Sequence, residues 1–224
     1  EAASAFERAL VLLPPDLTLE RTKTAMSLGK ACHIIGDPAR QGPALREAMA
    51  GARKLEIPSL LLQVLLATAQ AAIRANQNAK AEELLTETLS LATQIADPTG
   101  QAETMLLLGT NATNLMHSEV ARRYYLKALN LARKTTDLSR QAQALRGLGI
   151  AARDLGMPRE SIKWLDKALK IHRQIGDRIG EIVTQSNMIT AYFDLASWDT
   201  VLVISDEVLP QAVGYKFRRL VAYV

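Results

Sequence analysis

The chain has 224 residues, of which 48% are hydrophobic and 22% are charged, and its formal net charge is +4. The longest apolar stretches, such as residues 60–67, are far shorter than the ~20 residues that a membrane-spanning helix needs, so no membrane partner is expected. The mild positive charge does not by itself indicate nucleic acid as a partner. The single cysteine, Cys32, cannot form an internal disulfide, which favours a cytoplasmic location.

The sequence matches itself when it is shifted by 40 residues. One column of this comparison is mostly apolar, and the column directly after it is small in four of five cases. These columns are Leu28, Thr68, Leu108, Leu148 and Met188, then Gly29, Ala69, Gly109, Gly149 and Ile189. A fixed period of this length indicates a stack of equal supersecondary units that contact only their neighbours and present an extended surface.

The predicted elements follow this period along the chain. Residues 1–20 are predicted to hold the second helix of an earlier unit and a linker, with Phe6 and Leu10 on its apolar face. Five repeats follow, at residues 22–61, 62–101, 102–141, 142–181 and 182–215, and residues 216–224 are predicted to begin a further helix. Because both ends cut through a repeat and neither is polar, we expect a fragment of a longer protein whose ends expose apolar surface and can self-associate.

Each repeat is predicted to contain two amphipathic helices of roughly 17 residues. In the third repeat, Met105, Leu108 and Ala112 recur at helical steps, and Tyr125 and Leu129 belong to the apolar face of a second helix. The polar break between these faces falls at residues 116–118. The apolar run at residues 201–204 occupies a second-helix position and is therefore predicted to be helical.

Polar and conformationally special residues mark the predicted helix ends. Gly156 and Pro158 suit the end of one helix and the first turn of the next. In the first repeat, Pro43 is expected to delay the start of the second helix. Three aspartates 40 residues apart are predicted to cap first helices through their carboxylates; they are Asp97, Asp137 and Asp177.

The small residues lie where two helices of a hairpin would approach closely, and they carry a family resemblance. In the third repeat the residues are Leu108-Gly109, Ala112, Ala121, Tyr125 and Ala128. This spacing resembles the tetratricopeptide repeat (TPR) family, and the fourth repeat resembles it again. The resemblance implies an all-α fold, a right-handed superhelical solenoid of antiparallel helix pairs. The long period is similar to that of repeats in large bacterial signalling and transcription-regulating proteins.

The resemblance also implies a binding surface, because first helices of such repeats line a concave groove. Asn187 stands where peptide-binding adaptors of the family carry a ligand-binding asparagine. Arg153 offers a planar fork to a ligand carboxylate, and Asp154 either orients it or accepts a ligand amide. The candidate groove residues are Asn114, Arg146, Arg153, Asp154, Asn187, Thr190 and Asp194. Simple solvation of these polar side chains is the alternative interpretation.

Residues that suggest cofactor or metal chemistry have simpler interpretations. The pattern from Gly147 to Ala152 spells a dinucleotide-binding motif but falls inside a helix, so no cofactor is predicted. The histidines His33, His117 and His172 lie in different repeats without a partner four residues away. They are therefore interpreted as partly exposed side chains, and no metal site is predicted.

The remaining patterns do not indicate catalysis. No Ser/His/Asp or Cys/His set has a catalytic spacing, so the chain is not expected to be an enzyme. A basic stripe is expected on the outer, solvated face of a second helix; it consists of Arg159, Lys163, Lys167 and Lys170.

Two functional hypotheses follow. The first is a non-catalytic scaffold that binds a protein or peptide in its groove, as a regulatory segment of a larger bacterial signalling or transcription-regulating protein. The alternative is a sensory module that binds a small-molecule inducer in the same groove. Stabilisation by a single metabolite would distinguish the second hypothesis from the first.

Overall fold

The structure, a computed structural model, describes residues 1–214, which form eleven helices and no strand. The predicted all-α fold class is confirmed, and the helices that make up the repeats have 17 or 18 residues each. The helices are α1 (Ala2–Leu12), α2 (Thr18–Ile35), α3 (Pro38–Leu55), α4 (Pro58–Arg74), α5 (Asn78–Gln94), α6 (Pro98–Asn114), α7 (Ser118–Lys134), α8 (Leu138–Asp154), α9 (Pro158–Ile175), α10 (Arg178–Asp194) and α11 (Trp198–Gly214).

The helix starts reveal a period that the sequence analysis missed. From Thr18 to Trp198, α2 to α11 begin every 20 residues. The junctions repeat at the same interval, each with one residue at positive φ; these are Gly36, Glu56, Asn76, Ala96, Met116, Thr136, Gly156, Gly176 and Ala196. At eight of these nine junctions, all except that at Glu56, the following N–H then reaches back over the helix end, as the Asp97 N–H does to the Ala92 carbonyl at 2.9 Å. This geometry is the Schellman motif, so one helix with its left-handed terminus is the smallest repeating element.

The predicted aspartate caps are confirmed. Asp97 Oδ1 accepts the backbone N–H groups of Thr99 and Gly100, both at 3.0 Å. Asp137 Oδ1 accepts from Arg140 N at 2.9 Å, and Asp177 Oδ1 accepts from Gly180 N at 2.9 Å. Each carboxylate satisfies N–H groups that lack a partner in the first helical turn.

The prediction for the second helix of the first repeat was wrong. Helix α3 begins at Pro38, and Pro43 lies inside it. Asp37 caps the helix by accepting the Arg40 N–H at 3.1 Å, and Pro38 fits the first helical position. Gly42 eases the interior proline because it has no Cβ for the Pro43 ring to meet. The pair Asp37-Pro38 is the same start signal as Asp97-Pro98, and it outweighs the proline inside the helix.

The chain divides into two compact units, Glu1–Leu107 and Leu108–Val224. In the first unit, successive helices from α1 to α5 pack on one another, and α2 also contacts α4. In the second unit, the same order runs from α7 to α11, and α8 also contacts α10. Within each of these two runs, every helix packs on its neighbours in sequence, and the contacts of α2 with α4 and of α8 with α10 join first helices of successive repeats.

Glycines allow the two helices of a pair to approach closely in the first and fourth repeats. A Cβ on Gly29 would lie 2.6 Å from Leu45, and a Cβ on Gly149 would lie 2.6 Å from Leu165. The glycine and its large partner are 16 residues apart in both repeats, so one packing rule serves both. In the fifth repeat the corresponding residues are Ile189, which is buried, and Ser205. The large side chain has moved from the second helix to the first, which keeps the volume of the pair similar.

The repeat boundaries and the association of the chain ends stay predictions. At the N-terminal end, Leu10 is buried and Phe6 is half-buried, contrary to the expectation that both expose apolar surface. They pack with core residues such as Leu28 and Ala48 because α1 lies on α2. The exposed apolar residues there are Val11 and Leu12. The further helix predicted at 216–224 lies outside the described residues.

Candidate functional site

The candidate groove residues lie on α8, on α10 and at the end of α6, all at positions that belong to the second unit. Asn114 ends α6, Asp154 ends α8 and Asp194 ends α10, so these three side chains occupy one repeated position. The three residues are exposed at the helix termini, but the side chain of Asp154, which pairs with Arg153, is only 15% exposed. The other four, which are half-buried, lie further into the helices: Arg146, Arg153, Asn187 and Thr190.

Arg153 connects α8 to α10 and is engaged by protein groups. Its Nη1 donates to Thr190 Oγ1 at 2.8 Å, and its Nη2 donates to Asp154 Oδ1 at 3.0 Å. Thr190 Oγ1 in turn donates to the Asn187 carbonyl at 2.8 Å. The structure therefore brings four of the predicted residues into one hydrogen-bonded chain, in which Asp154 accepts from Arg153.

The ring of Tyr125 on α7 packs against Gly109 and Gly147, next to Arg146. A Cβ on Gly147 would lie 2.5 Å from the Tyr125 ring, and one on Gly109 would lie 2.6 Å from it. The Tyr125 hydroxyl lies 3.2 Å from Thr113 Oγ1. Gly147, which spells part of a dinucleotide motif, is therefore a packing residue inside α8.

Arg146 differs from Arg153 because it is unpaired. It makes no hydrogen bond or ion pair with any residue of the described range 1–214. Burial lowers the pKa of the Arg146 guanidinium below its ordinary value, while Tyr125 and Asp177 shift it in the opposite direction. The group still carries its charge at neutral pH, because an arginine in a protein is not deprotonated. A half-buried cation without a partner is a candidate site for an anion.

His172 is not a partly exposed residue, so that interpretation was wrong. Its side chain is 2% exposed, at the end of α9. His172 Nδ1 lies 2.9 Å from Asp177 Oδ2 and donates to it, while Nε2 is buried without a hydrogen-bond partner. Burial lowers the pKa of His172; the Asp177 carboxylate opposes this shift and Arg146 adds to it. Gly180 makes the room, since a Cβ there would lie 2.1 Å from Nδ1.

The repeat columns contain a signal that would have identified these residues. Positions 26, 66 and 106 are buried apolar residues, and the fourth member of that column is Arg146. Positions 52, 92 and 132 are fully buried alanines, and the fourth member of that column is His172. Both polar replacements lie at the junction of α8, α9 and α10.

A third interior polar residue at this junction is Thr184 of α10. It is fully buried, and its Oγ1 has no hydrogen-bond partner. Thr104, 80 residues earlier, instead donates to the Gly100 carbonyl at 2.7 Å. Thr184 follows Gly180 by four residues, so it lies on the face of α10 that contacts His172.

The basic stripe of α9 is exposed, as predicted. Lys167 Nζ lies 4.6 Å from the centroid of the Trp164 ring, and Lys170 forms an ion pair with Asp166 at 2.7 Å. Such exposed pairs contribute little to stability. Lys163 on this stripe is a suitable control position for the opposite face.

Within residues 1–214, no group of three His, Cys, Asp or Glu side chains is placed to hold a metal ion. None of the helices in the described part of the chain is long and apolar enough to cross a bilayer.

Comparison with known proteins places the chain in a structural class. Residues 100–174 match the tetratricopeptide repeat family model. Together with the helical array, this match defines a TPR-like helical repeat protein, as the sequence predicted. The matched segment contains the third repeat and most of the fourth. No curated protein sequence matches the chain.

Solved structures share the fold at low sequence identity. A Rap protein solved in complex with Competence and Sporulation Factor has a TM-score of 0.87 and 15% identity over 97% of this chain. The chain spans 60% of that Rap protein. BtubC from P. vanneervenii has a TM-score of 0.73 and 18% identity over 96% of this chain and 89% of its own.

A third similar structure is a signal transduction ATPase with numerous domains from Pyrococcus horikoshii, which has a tetratricopeptide repeat sensor. Its TM-score is 0.68, with 17% identity over 98% of this chain and 34% of its own. These similarities establish the fold alone, so the function has to be inferred from the site.

Proposed function

We propose that this chain is a non-catalytic interaction scaffold that binds a protein or peptide on the first-helix face of the second unit, formed by α8, α10 and the end of α6 (residues 108–114). We further propose that it is a cytoplasmic, regulatory segment of a larger bacterial signalling or transcription-regulating protein. Helical repeats of this type typically bind other proteins. The proposal adds which face does so and which residues contact the partner.

One observation carries the proposal. Arg146 and Asn187 lie on adjacent first helices, are half-buried, and have side chains without hydrogen bonds among residues 1–214. A donor or acceptor that has lost water without gaining a partner costs about 1–3 kcal/mol, and more when it is charged. A ligand that supplies the missing partners removes this cost, so such groups favour a bound state.

An extended peptide fits the arrangement of these groups. The amide of Asn187 can both donate to and accept from a peptide backbone. Arg153 and Thr190, already held together at 2.8 Å, form a fixed polar contact beside it. Asn114 and Asp194, at the ends of their helices, provide further polar contacts along the same row. The likeness to the Rap protein supports the proposal, because that structure contains a bound factor.

The test compares two faces of the second unit. A short peptide is selected against the chain from a displayed library, and its affinity is measured for Arg153→Glu and Lys163→Glu variants. We expect Arg153→Glu to weaken binding by more than about fivefold, and Lys163→Glu to leave it unchanged. Arg153→Gln, which keeps a donor for Thr190, controls for the loss of that hydrogen bond.

The reverse outcome would assign function to the outer face. If Lys163→Glu abolishes binding while Arg153→Glu retains it, the proposed surface is wrong. Circular dichroism and denaturant unfolding of each variant establish whether a loss of affinity reflects a loss of folding.

Small-molecule sensing is the second candidate. It is supported by the likeness to the Pyrococcus horikoshii protein, whose repeats are described as a sensor, and by the unpaired charge of Arg146. A metabolite panel in a thermal-shift assay distinguishes the two, because a ligand at 100 times its Kd stabilises the folded state by about 2.7 kcal/mol. Stabilisation by one metabolite, without selection of any peptide, would favour the sensor.

A further inference from the structure

Helices α7 and α9, the second helices of the third and fourth repeats, hold the chain's excess of positive charge. Together they contain ten Lys and Arg residues against three Asp and Glu residues, a formal charge of +7, whereas the whole chain has +4. All other residues taken together are therefore net negative. The second helices before and after them in the chain are acidic, since α5 has one Lys against three Glu residues and α11 has three acidic residues and no basic one. The mild overall charge thus conceals a local concentration of positive charge.

The basic residues of α7 and α9 belong to one surface. Arg122 Nη2 of α7 lies 3.5 Å from Glu160 Oε1 of α9, so the two helices are neighbours, and both pack on α8. On each helix, exposed basic residues recur at steps of three, four or seven, which places them on one helical face. We call this surface the basic face; its members are Arg123, Lys127, Lys134, Arg159, Lys163, Lys167 and Lys170.

The protein itself leaves most of this charge unneutralised. Lys170 pairs with Asp166 at 2.7 Å. Glu160 is occupied by Arg122 and by the indole N–H of Trp164, which donates to it at 3.1 Å. The other six members of the basic face make no ion pair with any residue of the described range 1–214. Their charges are therefore available to a polyanion, whose bound counterions are released when protein cations replace them.

Three repeat positions distinguish α7 and α9 from the other second helices. In both, a basic residue is followed directly by an aromatic residue and, three residues later, by a lysine; the two sets are Arg123-Tyr124-Lys127 and Lys163-Trp164-Lys167. At the lysine position the other repeats have Glu47, Glu87 and Glu207, and at the aromatic position they have Ala44, Leu84 and Ile204. The aromatic residue and the change of sign occur together in two successive repeats, which favours one shared ligand.

The aromatic rings lie beside the cations. Lys167 Nζ is 4.6 Å from the centroid of the Trp164 ring, and Lys127 Nζ is 6.0 Å from that of Tyr124. Both aromatic residues are half-buried, so part of each ring is open to solvent. The hydrogen bond to Glu160 holds the Trp164 indole in place. The basic face thus presents aromatic surface and positive charge side by side, once in each of the two repeats.

This combination selects the class of polyanion. A single-stranded nucleic acid offers phosphates to the cations and unpaired bases to the rings, and proteins that bind single strands combine both kinds of contact. In a duplex the faces of the bases are covered by stacking. An acidic peptide matches the charges alone. Either of these two ligands would leave Tyr124 and Trp164 without a role.

We infer that the basic face of α7 and α9 binds single-stranded nucleic acid, with its lysines and arginines contacting phosphates and with Tyr124 and Trp164 stacking on bases. The inference goes beyond the proposed function, because it concerns a second ligand on the opposite face of the same repeats.

The first experiment measures the binding of a fluorescein-labelled oligothymidylate of about 15 nucleotides to the whole chain by fluorescence anisotropy, over a range of sodium chloride concentrations. The Lys127→Glu/Lys167→Glu variant restores the residue type of the other three repeats. We expect it to weaken binding by at least about tenfold and to reduce the slope of log K against log salt by at least about 1.4, since each phosphate contact contributes about 0.7. Lys54→Glu/Lys80→Glu is the matched control, because it makes the same charge change at exposed positions of α3 and α5. Equal weakening by the two variants would overturn the inference.

The second experiment tests stacking. Trp164 and Trp198 are the two tryptophans of the chain, so Trp198→Phe leaves the emission of Trp164 alone. We expect unlabelled oligothymidylate to quench this emission with the midpoint found by anisotropy. Trp164→Leu, with the residue type of position 84, should weaken binding by about fivefold or more, and circular dichroism verifies its fold. Unchanged Trp164 emission at saturation, or an unchanged affinity of the folded Trp164→Leu variant, refutes the inference.

Competition distinguishes the classes of partner. An oligoglutamate of equal charge and a DNA duplex of equal length should each bind more weakly than the single strand and leave the Trp164 emission unchanged. Equal or tighter binding of the oligoglutamate would assign the basic face to an acidic protein, and equal or tighter binding of the duplex would assign it to double-stranded DNA; either result overturns the inference. A peptide selected for the first-helix face should bind without displacing the oligothymidylate, and displacement would contradict two separate faces.

Discussion

Enlarging Gly149 tests the packing rule that the repeats share. In the Gly149→Ile variant, the new Cβ would begin 2.6 Å from Leu165 Cγ and 3.3 Å from the Ser161 carbonyl oxygen. The leucine side chain can move, but the backbone of α9 cannot without shifting the helix. Overpacking of this kind costs about 1–3 kcal/mol. The better helix propensity of isoleucine offsets only a few tenths of this, roughly.

The fifth repeat indicates how the clash can be relieved. It has Ile189 and Ser205 at the positions of Gly149 and Leu165. Leu165→Ser alone removes a fully buried side chain and should cost about 2–5 kcal/mol. The double variant should be more stable than the sum of the two losses predicts, with a coupling of about 0.5–3 kcal/mol, because the isoleucine fills the space that the leucine leaves.

Urea unfolding followed by circular dichroism measures the stability of the parent, of the two single variants and of the double variant. Gly156→Ala is the control, because a Cβ there meets nothing within 4 Å while the backbone φ is +75°. Its cost, about 1 kcal/mol, comes from backbone conformation, so it should add to Leu165→Ser without coupling. The packing argument is refuted if Gly149→Ile unfolds at the same urea concentration as the parent, or if it adds to Leu165→Ser as Gly156→Ala does.

Three further predictions concern helix ends, pH and association. Thr136→Gly should raise stability by about 1 kcal/mol and the Tm by about 2–4 °C, because a β-branched residue is strained at φ 54°; an unchanged Tm would contradict this. His172 has a lowered pKa in the folded state, so the unfolded state takes up its proton first and stability should fall as pH drops below 6.5 toward the folded pKa. An NMR titration that gives His172 a pKa of 6.5 or above would exclude this loss of stability on protonation. Leu202 and Val203 are 63% and 68% exposed on α11, so the double change to Glu and Lys should reduce self-association in sedimentation velocity, and equal sedimentation of parent and variant would count against an apolar end contact.

The sequence predicted the repeats because packing imposes a strict pattern. The glycine column, the aspartate caps and the large residue 16 positions later each satisfy a local physical requirement, so each recurs and can be recognised. The 20-residue junction period carries no such signal. Residues such as Ala96, Met116 and Thr136 adopt the left-handed conformation at positions where glycine is usual.

The candidate site was predictable in part. The spacing of Arg146 and Arg153 placed both on the correct helix, but nothing in the spacing shows that one is engaged by Thr190 and the other is free. That difference depends on which side chains of α10 and α9 reach each guanidinium. His172 was misjudged because it was compared with metal-binding patterns and not with the alanines of its own repeat column.

The most direct test of the proposed surface is to map the partner by NMR. Side-chain amide resonances of Asn114 and Asn187 are recorded while a peptide selected from a displayed library is added to the 224-residue chain. The account predicts that both Asn amides and the Arg153 Nε–H shift together and saturate at one ligand concentration. Shifts confined to Trp164 and its neighbours on the outer face of α9, with the two asparagines unchanged, would contradict it.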